Sequence, residues 1–421
     1  MVSIDKTLWR AAAPSTNPLG IRLDVVGRVA NLPSRDHAPV NDSKSPSTLP
    51  VPIAWISCVG ERGGAESLMI ECLRELDRKQ FTPHVIQLRP GPLETLLKDI
   101  GVRVHVLEEH RMRQVHRVMS AILAIRRLVR SEGLRLLHSN GFRAHVYGGT
   151  AARLSGVPEA WTTHTVERPS WSTRAIVKIP TGHVLTNCPR TDEAFRGMGF
   201  PTTMIWPGVN TRHLEALAGS IPRPELERRH RIPAGRRWLT VGARLQRYKG
   251  HPEFLAALAK VPPESGFHGV ILGGSLFHQE SGLRRELEAQ SLALGLTGRV
   301  TFTGYVPDDE FAAFLASSEV VVHPAHDEDF GLTVAEAQAL GIPVIAFAAV
   351  GPAAIIEHGR TGWLVPVGDV PALTQAVNAA LLAGPGLATF GRAARQRAVS
   401  LFDSRLHADR TATVYRNLLN L

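Results

Sequence analysis

Pro52-Ile53-Ala54-Trp55-Ile56-Ser57-Cys58, then Gly60, the pair Gly63-Gly64, and Leu68, Ile70, Leu73 and Leu76 after it, form the stretch whose reading decides the fold. A short apolar run bounded by glycine reads as a buried strand. The apolar spacing beyond the glycine pair reads as one face of a helix. The unit then recurs: residues 84–88 precede a helix over 93–100, residues 102–107 precede a helix over 115–129, and 134–138 precede 143–154. Such alternation predicts an α/β fold, a parallel sheet with helices on both faces.

A second alternating set starts at Trp238-Leu239-Thr240-Val241-Gly242 and continues through 269–273, 300–303, 320–323 and 343–347. Two doubly wound, Rossmann-like domains in tandem leave a cleft outside the carboxyl ends of their strands, where ligands of such sheets bind. Residues 217–237 are polar and basic and hold Pro222, Pro224 and Pro233, which reads as a linker. Residues 41–52 are rich in Ser, Pro, Asp and Asn, a composition that cannot offset the entropy of ordering. The expected organisation is a flexible N-terminal extension over 1–50, a first domain over 51–216, the linker 217–237, a second domain over 238–400 and a closing helix over 401–421.

An apolar content of 44% and a charged content of 20% across 421 residues describe a chain able to bury more than one core. Cys58, Cys72 and Cys188 lie too far apart for a disulfide framework or a zinc site, which fits a reducing compartment. The longest apolar stretch, 342–356, is interrupted by Pro343, Gly351 and Pro352, so no membrane span is expected, and neither is a secretory signal. A cytoplasmic protein is the expectation. The formal charge of +10 favours anionic partners. Arginines cluster at Arg111, Arg113, Arg117, Arg126, Arg127 and Arg130, and few aromatics interleave with them, which disfavours nucleic acid. A basic helix over 113–130 suits an anionic membrane surface instead, against the plainer reading of a solvated helix face.

Chemistry concentrates in two runs. The first is His323-Pro324-Ala325-His326-Asp327-Glu328-Asp329-Phe330-Gly331-Leu332-Thr333-Val334-Ala335-Glu336, which follows an apolar strand and opens a helix. Free N–H groups at Gly331, Leu332 and Thr333, added to the helix dipole, would attract an anion such as phosphate. Read alone, the run reads better as an ordinary capping box of Thr333 and Glu336 with Glu328 solvated. The second run, Val241-Gly242-Ala243-Arg244 through Lys249-Gly250, puts two cations at the end of the second domain's first strand. A guanidinium and an ammonium there would stabilise the charge growing on a departing diphosphate.

Taken together, Gly242-Ala243-Arg244 to Lys249-Gly250, the Glu328 and Glu336 pair with Phe330-Gly331-Leu332 between, and Gly359-Arg360-Thr361-Gly362-Trp363-Leu364-Val365 resemble the GT4 family of retaining glycosyltransferases. Gly63-Gly64-Ala65-Glu66 and Trp206-Pro207-Gly208-Val209-Asn210 extend the resemblance from residue 52 to the C-terminus. It implies the GT-B fold, with the donor nucleotide on the C-terminal domain and the last helix crossing back onto the N-terminal one. By motif match, Arg244 and Lys249 would hold the diphosphate and Glu336 the ribose. Glu328 and the backbone of Asp329, Phe330, Gly331 and Leu332 would face the sugar. His164 resembles the N-domain histidine beside the reacting carbon, and Gly63 and Gly64 the glycine loop.

The implied activity is retaining transfer of a hexose-type sugar from a nucleotide-diphosphate sugar to a glycan or lipid-linked acceptor, in bacterial surface polysaccharide or glycolipid synthesis. Alternatives are a nucleotide-sugar epimerase, a phosphorylase, or a nucleotide-sugar-binding protein without turnover. Asp327-Glu328-Asp329 looks like an Asp-x-Asp metal motif, but that motif belongs to a different fold, and neither a catalytic metal nor a cofactor is expected. Two positions depart from the family pattern: Asp329 stands where many members have glycine, and Ala354 where many have an acidic residue.

Overall fold

Both sheets pair in parallel throughout the described residues. The computed structural model describes residues 49–108, 114–165, 171–274 and 282–421, the side chains of Trp171 and Ser172 excepted. Most of the expected extension over 1–50, together with Arg111 and Arg113, lies outside them. The first sheet holds Val51–Ser57 (β1), Phe81–Gln87 (β2), Arg103–Val106 (β3), Leu136–Asn140 (β4), Glu159–Thr163 (β5), His183–Thr186 (β6) and Thr202–Met204 (β7). Its order is β3-β2-β1-β4-β5-β6-β7. The second holds Arg237–Gly242 (β8), Phe267–Leu272 (β9), Val300–Gly304 (β10), Val320–His323 (β11), Val344–Phe347 (β12) and Gly362–Val365 (β13), ordered β10-β9-β8-β11-β12-β13.

Strand β1 shows why the opening apolar run is continuous. Ala54 and Ile56 pack with Val118, Ile122 and Ile125, whereas Trp55 packs on the opposite side with Met69, Leu73 and Leu97. A central strand covered on both faces has no solvent side to make polar. The helix Val115–Ser131 buries Val118, Ala121, Ile122, Ile125 and Val129, a helical stripe with Arg117, Arg127 and Arg130 left outside.

Two segments sit differently from the expected boundaries. Residues 217–237 contain the helix Arg223–His230, and Ile221, Leu226 and Ile232 join Trp238 and Phe314 in the second domain's core. Helix Thr211–Ala218 packs on Asp308–Ala316 in the same domain, with Leu214 in the cluster around Phe330 and Ala335. Proline content signals an interrupted chain, but buried leucine and isoleucine decide which core receives it.

At the far end, Asp403 separates the helices Leu387–Phe402 and Ser404–Leu419 and caps the second by accepting from the Arg405 N–H at 2.9 Å. Helix Ser404–Leu419 lies on Gly64–Glu75, and its Ala412, Val414, Tyr415 and Leu419 join Val51, Ile53 and Phe81. The closing helix therefore completes the first domain's core, as the GT-B resemblance implies.

Candidate active site

The switch points of the two strand orders lie between β1 and β4 and between β8 and β11, and the loops leaving β1, β5, β6, β8 and β11 contribute to the lining of a cavity of about 730 Å3. It brings together His164, Arg244, Lys249, Glu328, Phe330, Gly331, Leu332, Thr333, Glu336 and Gly64. Gly63 is not part of the lining, and its N–H is turned to the Glu66 carboxylate at 3.2 Å. Only the second glycine of the pair reaches the cleft, because the first is spent starting the helix Gly64–Glu75.

The turn between β11 and the helix Leu332–Ala339 sets one wall of the cavity. Gly331 takes a left-handed φ of 92°, which a side chain would resist, and the helix starts at once behind it. Thr333 does not cap: its hydroxyl donates to the Gly242 carbonyl at 2.9 Å and ties the helix to the end of β8. That excludes the Thr333–Glu336 capping box, and the residues that open the helix, Leu332 and Thr333, line the cleft. Phe330 puts its ring in the core against Trp206 and Phe402, so only its backbone is available to a ligand.

The two carboxylates of this wall have opposite electrostatics. Burial alone would raise the Glu328 carboxyl, but a hydrogen bond from His323 and the Lys249 ammonium outweigh it and hold the group at about 2. Lys249 Nζ lies 2.5 Å and His323 Nε2 3.3 Å from the same Glu328 oxygen. Among the described residues no donor reaches Glu336, and burial with the neighbouring Asp308 carboxylate, against the pull of Arg62, pushes it up to about 7. Arg244 is exposed and pairs with no carboxylate among the described residues.

On the opposite wall His164 donates through its Nε2–H to Asn140 Oδ1 at 2.7 Å. Burial and the nearby His407 lower it to about 4, so it is a neutral hydrogen-bonding group at neutral pH.

Sequence reading missed several lining groups. His323 ends β11 inside the quoted run, and its place at a strand end was a usable signal. Tyr305, 74% exposed beside Gly274, offers a flat ring at the cleft mouth. Arg190 and the Arg62–Asp308 ion pair reach across the cleft between partners over a hundred residues apart, which no local pattern reveals. Each carboxylate of Asp327-Glu328-Asp329 faces a cation of the protein: Arg190 for both aspartates, Lys249 for Glu328. Among the described residues, metal-ligand side chains converge in threes at His84, His105 and Glu132, outside this lining.

Comparison with known proteins agrees with this architecture. The family model "Glycosyl transferases group 1" matches residues 222–397 and "Glycosyltransferase Family 4" matches 62–213. A D-inositol 3-phosphate glycosyltransferase of Xylanimonas cellulosilytica is 28% identical over 80% of this chain and 88% of its own length. The lipopolysaccharide core biosynthesis mannosyltransferase LpcC of Rhizobium leguminosarum is 31% identical over 44% of this chain, and the match spans 52% of that relative. For a second D-inositol 3-phosphate glycosyltransferase, from Arthrobacter, the match spans 63% of the relative. Among solved structures, Anabaena Alr3699/HepE in complex with UDP-glucose superposes with a TM-score of 0.75 at 25% identity, covering 87% of this chain and 99% of that one. With one model on each domain and only residues 214–221 between their limits, the chain belongs to glycosyltransferase family 4, the glycosyl transferases group 1, and has the GT-B fold.

Proposed function

We propose that the chain transfers a hexose-type sugar, with retention, from a nucleoside-diphosphate sugar to a glycan or lipid-linked acceptor. The observation that carries the reading is the pairing, in one cleft, of a guanidinium at Arg244 and a carboxylate at Glu336, each without a partner among the described residues, on either side of an open helix start. A diphosphate suits the first, a ribose diol the second, and the N–H groups behind Gly331 suit phosphate oxygens. Lys249 shares its ammonium between Glu328 and the diphosphate. Glu328, held ionised, orients the sugar.

In this reading the bond from the anomeric carbon to the diphosphate oxygen breaks as the acceptor oxygen attacks the same face. The acceptor proton passes to the departing phosphate. Arg244, Lys249 and the helix start stabilise the charge that grows there, so no metal is needed. Neutral His164 serves as a hydrogen-bonding partner for the sugar rather than as an acid. A phosphorylase would need a lysine free for a Schiff base, whereas the lysine of this lining is held by Glu328. Relatives named for a lipopolysaccharide core and for inositol phosphate, and a structural neighbour that holds UDP-glucose, support a nucleotide-sugar donor and a polyhydroxyl acceptor.

The test is thermal stabilisation by UDP and GDP, followed by turnover of their sugars. A diphosphate at about a hundred times its Kd should add roughly 2.7 kcal/mol, and Arg244→Ala should remove most of that gain. No stabilisation by either nucleotide, or an equal gain in the variant, would overturn the reading.

A lipid-linked acceptor also accounts for the surface of helix Val115–Ser131. No helix among the described residues is long and apolar enough to cross a membrane. Yet Val115, Met119 and Leu123 are 66%, 40% and 39% exposed at four-residue spacing, with Arg117, Arg127 and Arg130 exposed on the same helix. An apolar stripe edged by arginine fits the interface of an anionic membrane, where it would keep the chain peripheral at the inner face.

A further inference from the structure

One carboxylate of the second domain is gripped by three groups of the first. Asp329 sits in the turn before helix Leu332–Ala339, and Arg190 sits in the first turn of helix Pro189–Gly197. Arg190 donates to Asp329 Oδ1 from Nε at 2.8 Å and also from Nη2. Thr165 hydrogen-bonds the same carboxylate, and the Cys188 thiol approaches Oδ1 at 3.8 Å. A third Arg190 nitrogen, Nη1, donates to Asp327 Oδ1 at 3.0 Å.

These contacts differ in kind from an ordinary surface ion pair. The side chains of Arg190 and Asp329 keep 25% and 17% of their exposure, and the guanidinium fork engages two carboxylates at once, which permits few alternative geometries. Their neighbours in sequence matter as much. Asp329 follows Glu328, and Thr165 follows His164, so the grip ties together the two chain segments that carry opposite walls of the cleft. By contrast, the Arg62–Asp308 pair, also across the cleft, is 36% and 54% exposed and should hold weakly.

We propose that Arg190 and Asp329 are positioning residues that hold the sugar end of the cleft closed, setting Glu328 and His164 at a fixed separation around the transferred sugar. This rests on the glycosyl-transfer reading for its chemistry but not for its geometry. The nucleotide groups Arg244 and Glu336 stand on other elements, so breaking the grip should misplace the sugar and leave nucleotide binding intact. A glycine in place of Asp329 has no side chain with which to make this contact. The sequence departure therefore adds a fastening.

The test uses the full chain with Arg190→Ala, Asp329→Asn, the double variant and Asp329→Glu. Small-angle scattering without ligand should show a larger radius of gyration for both single variants. UDP and GDP affinities should stay within about twofold, while KM for the sugar nucleotide that the wild type turns over rises on the order of tenfold. The double variant should be no worse than either single one, as expected of one shared interaction, and Asp329→Glu should recover part of the loss. Unchanged scattering, or a loss of nucleotide affinity that matches the rise in KM, overturns the proposal. If the wild type turns over no sugar nucleotide, the glycosyl-transfer reading fails while the scattering still decides whether the grip closes the cleft.

Discussion

Glu336 and Glu328 illustrate how environment alone drives one residue type in two opposite electrostatic directions. Glu328, compensated by Lys249 and His323, stays ionised at any working pH. Glu336 has no such compensation, and its carboxyl moves from an ordinary value of 4.5 to about 7. Between those values the folded chain binds more protons than the unfolded one, so this group's contribution to stability falls as pH rises from 4.5 to about 7. Glu336→Gln should therefore raise the melting temperature of the ligand-free chain at pH 8 and change it little at pH 4, as scanning fluorimetry can check. In the proposed role the same variant should weaken UDP or GDP binding by about 1.5–3 kcal/mol, roughly ten- to a hundredfold, through loss of a charged acceptor to the ribose. A stability gain with unchanged binding would remove Glu336 from the site. The glutamate pair was legible in the sequence, since its spacing places both at the ends of one turn and helix start. Their opposite electrostatics were not, because Lys249 and Asp308 reach the pair from distant parts of the chain.

At the scale of elements, helix Val115–Ser131 shows how much periodicity can tell. Its buried stripe follows from the pattern, and the structure adds that Val115, Met119 and Leu123 are left over outside it. Arg126, by contrast, is half-buried, so the exposed charge belongs to Arg117, Arg127 and Arg130. If this face meets lipid, the chain should sediment with phosphatidylserine vesicles at low salt. Replacing Leu123 with Ser and Arg127 with Glu should sharply reduce that binding, each exposed arginine contributing about 1 kcal/mol near such a surface. Absence of binding, or binding indifferent to these changes, would leave the stripe as ordinary surface. Another element-scale lesson comes from Thr333. A Thr-x-x-Glu pattern at a helix start looks like a capping box, yet the hydroxyl goes to Gly242 because the adjacent strand offers a strand-end carbonyl within reach.

For the whole molecule, helix Ser404–Leu419 makes the two domains interdependent, since the last residues of the chain fill the core of the first domain. Tyr415 is fully buried there and its hydroxyl meets His138 Nδ1 at 2.5 Å, with burial holding that imidazole neutral. Tyr415→Phe leaves His138 without this partner and should cost about 1–3 kcal/mol of stability, measurable as a lower urea midpoint. An unchanged midpoint would show that the hydrogen bond is dispensable and that the ring alone packs the helix.

Local chemistry was enough to read the strand-and-helix alternation, the two sheets and most residues of one cavity wall, because apolar period, glycine turns and charged strand ends are written in consecutive residues. Tertiary structure alone decided that the stretch over 217–237 packs into the second core, that Gly63 faces away from the cleft, and that Thr333 binds a strand carbonyl. It also decided that Asp329 meets Arg190. Those outcomes depend on which surfaces meet when distant segments fold together, and Arg190 and Asp329, 139 positions apart, carry no local mark of their meeting.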